Sequence, residues 1–191
     1  KVASIPKERI QVYFIDNEEY FKRKATFTDE DGNLFPDNDE RAIFFCKGVL
    51  ETVKKLGWAP DIVHCNDWMT SLIPMYLKTT YKNDPIFQNT KSVFTIYNNG
   101  FAHQFKGDLL DKVKMMDIDD SMLENLKSAD FAGFIKTGAE YADAVIRAEE
   151  EATEALSNLF KEIEQGRTVS TIEKDDNFLD SYFNLYNELV G

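Results

Sequence analysis

The sequence predicts an α/β fold in which helices cover a parallel sheet on both sides, giving three layers. Short runs rich in β-branched and aromatic residues recur along the chain, and the longer stretches between them show helical spacing of apolar residues. Strands that alternate with helices are typical of a parallel sheet, because each helix carries the chain back to the same edge. Apolar residues make up 43% of the 191 residues, which is ample core for one domain.

Four strands are predicted, each short and bounded by polar or turn-forming residues. They are residues 11–15 (QVYFI), 61–64 (DIVH), 92–96 (SVFTI) and 144–147 (AVIR). Residues 2–5 have the composition of a strand already under way, and the first residue is Lys rather than Met. We therefore expect the sequence to begin inside a longer polypeptide.

Helices are predicted between and after these strands. Residues 40–56 carry apolar side chains at helical spacing and are followed by Gly57, a residue type that often ends a helix. A second helix is expected over 66–77, with Asn66 as its N-cap. The other predicted helices are residues 131–141, 152–163 and 176–190.

The segment 164–176 is a candidate linker, but it is too short to separate two domains. We expect one domain over residues 1–148 and a C-terminal helical tail over 149–191 that packs on it.

Charge and composition exclude several function classes. The net charge of -12 repels the phosphate backbone of nucleic acids, so neither DNA nor RNA is an expected partner. No apolar run is long enough to span a membrane and the N-terminus does not resemble a signal peptide, so a cytoplasmic location is expected. Cys46 and Cys65 fall in segments predicted to be buried, which is typical of reduced thiols.

No cofactor and no metal are expected. The sequence contains no dinucleotide-binding, nucleotide-triphosphate, zinc-protease or serine-hydrolase motif. His64 has no Cys or His at metal-ligand spacing, since the adjacent Cys65 points to the opposite face of the strand. From the residues alone, His64 is better explained as a buried histidine whose hydrogen bonds are satisfied.

Candidate ligand-binding residues follow two of the strands. Asn66 and Asp67 come after the second, and the Tyr97-Asn98-Asn99 run comes after the third. In open α/β sheets ligands bind at the carboxyl ends of the strands. Capping explains Asn66 and Asp67 more readily than ligand binding does, while an ordinary Asn-Gly turn and a sugar site explain the second run equally well.

Five segments carry a resemblance to a known family. They are residues 12–23 (VYFIDNEEYFKR), 35–41 (FPDNDER), 60–68 (PDIVHCNDW), 91–95 (KSVFT) and 134–143 (FIKTGAEYAD). In this order they resemble the N-terminal domain of bacterial glycogen synthases and plant starch synthases. These are retaining glucosyltransferases of family 5, which use ADP-glucose and have the two Rossmann-like lobes of the GT-B fold. The resemblance covers most of residues 11–145.

The resemblance implies a fold, two substrates and a set of site residues. The chain would be the N-terminal Rossmann-like lobe, and ADP-glucose and an α-1,4-glucan would meet in the cleft between lobes. Asp67 would lie on the acceptor side, and Tyr97 would stand near the glucose where the family has a histidine. The remaining residues implied in substrate binding are His64, Asn66, Trp68, Asn98 and Asn99.

Two departures from the family limit what the resemblance implies. Tyr97 replaces the histidine, and residues 146–150 (IRAEE) replace the signature that leads into the second lobe. We expect the chain to be incomplete on its own, with a second lobe supplied by a partner chain or a homodimer. A further possibility is that the C-terminal helices close the exposed face into a homodimer, which would make the chain an interaction protein. The alternative is a non-catalytic relic of the lobe that binds glucan or protein, so the sequence leaves open whether the chain is an enzyme.

Overall fold

A computed structural model describes residues 1–105, 107–148, 152–172 and 175–191. They contain two sheets. A two-stranded antiparallel ribbon pairs β1 (Val2–Ile5) with β2 (Ile10–Tyr13). A four-stranded parallel sheet follows, with β3 (Ile62–Asn66), β4 (Lys91–Ile96), β5 (Ala144–Arg147) and β6 (Val169–Thr171) side by side in chain order.

The strand expected over residues 11–15 forms over Ile10–Tyr13, but its assignment to the parallel sheet is wrong. It pairs with the residues just before it, Ile5 opposite Ile10, and most of the ribbon is exposed. A hairpin closes a loop of a few residues, which costs little entropy, whereas a place in the parallel sheet requires a long crossover. The apolar and aromatic residues of the segment 11–15 suit pairing with β1 and pairing in the parallel sheet equally well, so the sequence pattern could not distinguish the two arrangements.

Seven α-helices and two 3₁₀ segments connect and follow the strands in the described residues. They are α1 (Glu18–Phe21), α2 (Asn38–Leu56), a 3₁₀ turn (Trp68–Thr70), α3 (Leu72–Lys78), α4 (Leu109–Val113), a 3₁₀ helix (Asp120–Ser128), α5 (Phe131–Tyr141), α6 (Glu154–Glu164) and α7 (Phe178–Val190). No helix in the part of the chain that is described is long and apolar enough to cross a membrane.

The predicted helix over 40–56 is confirmed as α2, and its ends follow from local chemistry. Asp39 and Glu40 lie in the first turn, where acidic side chains favour the helix dipole. Gly57 ends the helix with φ 67°, a left-handed conformation that glycine adopts at little cost. The predicted helix over 131–141 is likewise confirmed as α5.

The helix expected over 66–77 begins later than predicted, and Asn66 is not its N-cap. Asn66 is the last residue of β3, and Asp67 then turns the chain with φ 65° and ψ 174°. A 3₁₀ turn follows before α3 begins at Leu72. The strand therefore ends two residues later than predicted and leaves Asn66 and Asp67 at its carboxyl end.

One face of the parallel sheet carries the main core. Register places Cys65, Phe94 and Val145 side by side on this face, and all three are buried. They belong to one cluster with buried side chains of α2, α3, α5 and α6. Cys46 of α2 and Cys65 are both free thiols, as predicted. The parallel α/β class is thus confirmed.

The opposite face of the sheet carries His64, Val93, Thr95 and Ile146, of which the last three are fully buried. Helix α7 contacts this face through Tyr182 and Tyr186, whose rings lie 5.7 and 5.8 Å from the ring of His64.

The segment 164–176, expected to be a linker, contains β6 and adds a fourth strand to the sheet. Glu149 and Glu150, which depart from the family signature and lie at the expected start of the tail, fall outside the described residues.

Candidate functional site

The carboxyl ends of β3 and β4 bring together the residues that the sequence singled out. Asp67 N–H donates to Thr95 O at 2.9 Å, which ties the two strand ends to each other. Tyr97 Oη donates to Asn66 Oδ1 at 3.0 Å, and Asn99 Nδ2 donates to Asp67 Oδ2 at 2.9 Å. The two polar runs therefore form one cluster, although each is local in sequence.

Asp67 has an unusual backbone conformation for its residue type. Its φ of 65° and ψ of 174° lie in a region that is occupied almost only by glycine and costs other residues about 1–3 kcal/mol. The Asp67 N–H is hydrogen-bonded to Thr95, and the Asp67 carbonyl is hydrogen-bonded as well, since it accepts from Thr70 N at 3.1 Å. Hydrogen bonds on both sides of the residue hold this conformation in place.

The Asp67 carboxyl group is electrostatically perturbed. Burial raises its pKa, and the hydrogen bonds from Asn99 and from the Trp68 backbone offset this only in part, so the pKa lies above its ordinary value. Oδ1 is buried and has no hydrogen-bond partner among the described residues. This buried oxygen is closed to ligands, but Oδ2, which accepts from Asn99, has a second lone pair that can accept a hydrogen bond from a ligand hydroxyl.

His64 uses both ring nitrogens within the protein. Nε2 lies 2.6 Å from Thr95 Oγ1 and Nδ1 lies 2.6 Å from Tyr186 Oη. Burial lowers the pKa of His64, so the neutral form is favoured. The interpretation as a satisfied buried histidine fits this geometry. Sequence reasoning missed Tyr186 as its partner, since nothing local links residues so far apart.

Trp68 lies in the core with 1% of its surface exposed. Its ring packs against four phenylalanines, Phe27, Phe101, Phe105 and Phe134, at centroid distances of 5.0 to 6.2 Å. This packing leaves the indole almost no surface for a ligand. Its place next to Asp67 indicates that it anchors the turn.

A cavity of about 680 Å³ lies beside the loop that follows β4. Asn98, Phe101 and Phe131 line one side, and Leu156 and Leu159 of α6 line the other. The contribution of α6 was not predicted from the sequence, because the amphipathic stripe of α6 indicates burial but not which side chains border a cavity.

Lys136, the lysine of the segment 134–143, also lines this cavity. Its Nζ forms an ion pair with Glu162 of α6 at 2.5 Å. The pair is partly exposed and therefore weak, but it holds the ammonium group against α6 in this structure.

Comparison with known proteins gives consistent matches over most of the chain. The family described as starch synthase catalytic domain matches residues 1–166. Glycogen synthase of Chlorobium limicola is 39% identical over 144 residues, which are 75% of this chain and 29% of that protein. Glycogen synthase of Chlorobium phaeovibrioides is 40% identical over 167 residues, which are 84% of this chain and 33% of that protein.

The fold is similar to that of a solved plant enzyme. The catalytic domain of starch synthase IV from Arabidopsis thaliana, bound to ADP and acarbose, superposes with a TM-score of 0.61. The match covers 86% of this chain and 35% of the plant chain at 17% identity, so it shows likeness of fold. The chain spans about a third of the length of the relatives that it matches.

Proposed function

Because the chain belongs to the family of starch synthase catalytic domains, we propose that it is the acceptor-side part of a glycogen or starch synthase-like glucosyltransferase. In this proposal glucose passes from ADP-glucose to the non-reducing end of an α-1,4-glucan with retention. The chain supplies one wall of the cleft, and a second lobe supplies the other. The free, buried state of Cys46 and Cys65 is consistent with action in the cytoplasm.

The observation that carries this proposal is the geometry of Asp67. A carboxylate at the end of β3 has one oxygen held by Asn99 and the other buried without a partner. A hydroxyl of the acceptor glucose that donates to Oδ2, alongside Asn99, would form a charge-assisted hydrogen bond, which is stronger than one between neutral groups. Asp67 would then fix the orientation of the acceptor end for transfer.

Tyr97 and Asn98 are proposed to face the glucose unit, beside Asp67. Tyr97 cannot supply the charge of the family's histidine, but its hydroxyl orients Asn66 through the bond of 3.0 Å. Asn98 borders the cavity of about 680 Å³ and offers an amide to sugar hydroxyls. Asn99 acts through Asp67, which it positions.

The leaving diphosphate needs preorganised positive groups. Lys136 is engaged with Glu162, so we propose that the cations for the diphosphate belong to the rest of the enzyme. We further propose that residues 149–191 pack as a tail on the domain formed by residues 1–148, a tail that contributes β6 to the sheet in addition to its helices. The burial of Leu156, Phe160 and other α6 side chains in the main core supports this arrangement.

A second candidate function is glucan or protein binding without catalysis. It is favoured by Tyr97, because a tyrosine stands where the family's catalytic cleft has a histidine. Under this candidate the same cluster at the strand ends would hold a glucan chain but would not promote transfer.

Incorporation of labelled glucose from ADP-glucose into glycogen tests the proposal. The longest natural chain that contains this segment is assayed beside its Asp67→Asn variant, with Asp111→Asn, an exposed carboxylate on α4, as the matched control. We expect Asp67→Asn to lower the rate at least tenfold, the loss of about one charge-assisted hydrogen bond, and the control to retain it. Glucan binding without incorporation would instead support the non-catalytic candidate.

A further inference from the structure

Helix α7 lies outside residues 1–166, the part of the chain that matches the family, and its side chains at positions 179, 182, 183 and 186 lie on one face at helical spacing. Tyr182 and Tyr186 contact His64 on the sheet. Leu179 and Phe183 lie at the solvent edge of the same face, with 67% and 64% of their surfaces exposed. Two large exposed apolar side chains one turn apart on a helix need an explanation by function or by a partner.

A groove of about 490 Å³ separates α7 from the end of β3, and we call it the α7 groove. Its lining side chains are His64, Asn66, Leu179, Tyr182, Phe183 and Tyr186. None of these carries a formal charge at neutral pH, since burial lowers the pKa of the histidine and favours its neutral form.

An uncharged groove is notable in a chain whose net charge is -12. A ligand bound there meets aromatic faces, phenol hydroxyls and an amide. Because no lining side chain is positively charged, a phosphate group on the ligand would add no favourable interaction. Hexose units satisfy these conditions, because each has an apolar face of C–H groups and an edge of hydroxyls. The amide of Asn66 can both donate to and accept from such hydroxyls.

The α7 groove shares the side chain of Asn66 with the candidate site. Asn66 lines the groove and also accepts the hydrogen bond from Tyr97, and the next residue is Asp67. A chain of sugar units whose end lies at Asp67 can therefore continue across Asn66 toward Phe183 without crossing a charged side chain of the groove.

We propose that the α7 groove binds the α-1,4-glucan chain whose non-reducing end Asp67 holds, an inference that rests on the proposed function. Phe183 is the platform for one sugar ring, Leu179 extends the apolar surface, and Asn66 provides the polar contact nearest the acceptor end. Helix α7 thereby adds an acceptor subsite in a part of the chain beyond the family match.

Isothermal titration calorimetry of the full chain with maltoheptaose tests the groove. Phe183→Ala removes the platform, and Trp58→Ala is its matched control, because Trp58 is an aromatic residue exposed to 63%, close to the 64% of Phe183, and does not line the groove. We expect Phe183→Ala to weaken binding about tenfold through the loss of apolar contact area, and Trp58→Ala to leave it unchanged. Equal melting temperatures of the two variants confirm that both fold.

Asp67→Asn in the same titration separates the groove from the proposed function. If Asp67→Asn weakens binding and Phe183→Ala leaves it unchanged, the groove is overturned and the acceptor role of Asp67 is retained. If only Phe183→Ala weakens binding, the groove is retained and the acceptor role of Asp67 is contradicted. Absence of maltoheptaose binding by the unaltered chain would overturn the groove, as would a dimer in sedimentation that Phe183→Ala dissociates, since a second copy would then be its occupant.

Discussion

At Asp67, a glycine-like backbone conformation, a half-buried carboxyl group and an oxygen without a hydrogen-bond partner occur in one residue. Each feature costs stability, and none is needed to make the turn, since glycine would make it without strain. Strain that a protein retains at a polar cluster on a strand end is typical of functional sites. The cost at Asp67 thus supports a role for its side chain.

The strain predicts that Asp67→Gly stabilises the protein. Relief of the positive φ should raise the free energy of unfolding by about 1 kcal/mol, after allowing for the greater freedom of glycine in the unfolded chain. Urea denaturation at pH 7 measures the change. Asp67→Asn keeps the strain while removing the charge, so it separates the two contributions. A less stable Asp67→Gly variant would show that the conformation carries no strain.

Sequence reasoning found the members of the polar cluster but not their pairing. Asn66, Asp67, Tyr97 and Asn99 were selected because strand ends in such sheets bind ligands, and the structure brings them together. The contact between His64 and Tyr186 could not be predicted, because no periodicity or motif relates a strand residue to a helix that follows the last strand.

Close contact between α5 and β4 explains one residue of the segment 134–143. A Cβ atom on Gly138 would lie 2.6 Å from Cε1 of Phe94, and other ring atoms of Phe94 would lie at 2.8 and 2.9 Å. Phe94 is fully buried, so its ring has little room to move. The helix can approach the sheet this closely only because residue 138 has no side chain.

Gly138→Ala is therefore expected to destabilise the protein even though alanine favours helices by about 1 kcal/mol. Overpacking should outweigh that preference and lower the free energy of unfolding by about 1–2 kcal/mol. Thermal unfolding followed by circular dichroism measures the loss. Addition of Phe94→Leu should recover part of it, since the smaller side chain leaves space, and no recovery would mean that the clash lies elsewhere.

Helix α2 and the 3₁₀ turn after Asp67 show which elements a sequence can predict. For α2, an apolar stripe and a following glycine indicated a helix over 40–56, and the structure begins it only two residues earlier, at Asn38. For residues 66–77, Asn66 resembled an N-cap. A tertiary hydrogen bond from Asp67 N–H to Thr95 and a local one from Thr70 to the Asp67 carbonyl set the backbone instead. A strand as short as β6 has too few residues to show a period at all.

Across the whole sheet, Asp143 connects three elements. Its carboxylate accepts from Ser92 N at 2.7 Å and Ser92 Oγ at 3.1 Å on β4, and it pairs with Lys78 of α3 at 2.7 Å, while its own backbone leads into β5. Burial raises the pKa of Asp143, but the bonds from Lys78 and Ser92 outweigh this and hold the pKa below its ordinary value.

The lowered pKa predicts how the contribution of Asp143 depends on pH. A carboxyl group whose pKa is lower in the folded state stabilises the fold above its unfolded pKa of about 3.9, and this contribution is lost as the pH falls through the folded pKa. Asp143→Asn should cost about 1–2 kcal/mol at pH 7 and progressively less below about pH 4. Urea titrations from pH 7 downward test this, and a difference that stays constant with pH would contradict it.

At the scale of the molecule, the sequence predicted the parallel α/β class because several alternating segments all indicated it. It did not predict the separate ribbon of β1 and β2, since the composition of one strand does not determine which strand it pairs with. The family resemblance covered the segments that build the sheet and the site, while α7, which borders one side of that site, lies beyond the family match.

The order β3-β4-β5-β6 bears on how the protein is made. Each strand of the parallel sheet after β3 pairs with the strand that precedes it in the chain, so each new strand finds its pairing partner already synthesised. A chain emerging from the ribosome at about 5–20 residues per second can extend such a sheet one strand at a time, without waiting for a later segment to be inserted between earlier ones. We therefore expect assembly to proceed in the direction of synthesis, with α7 closing over His64 last.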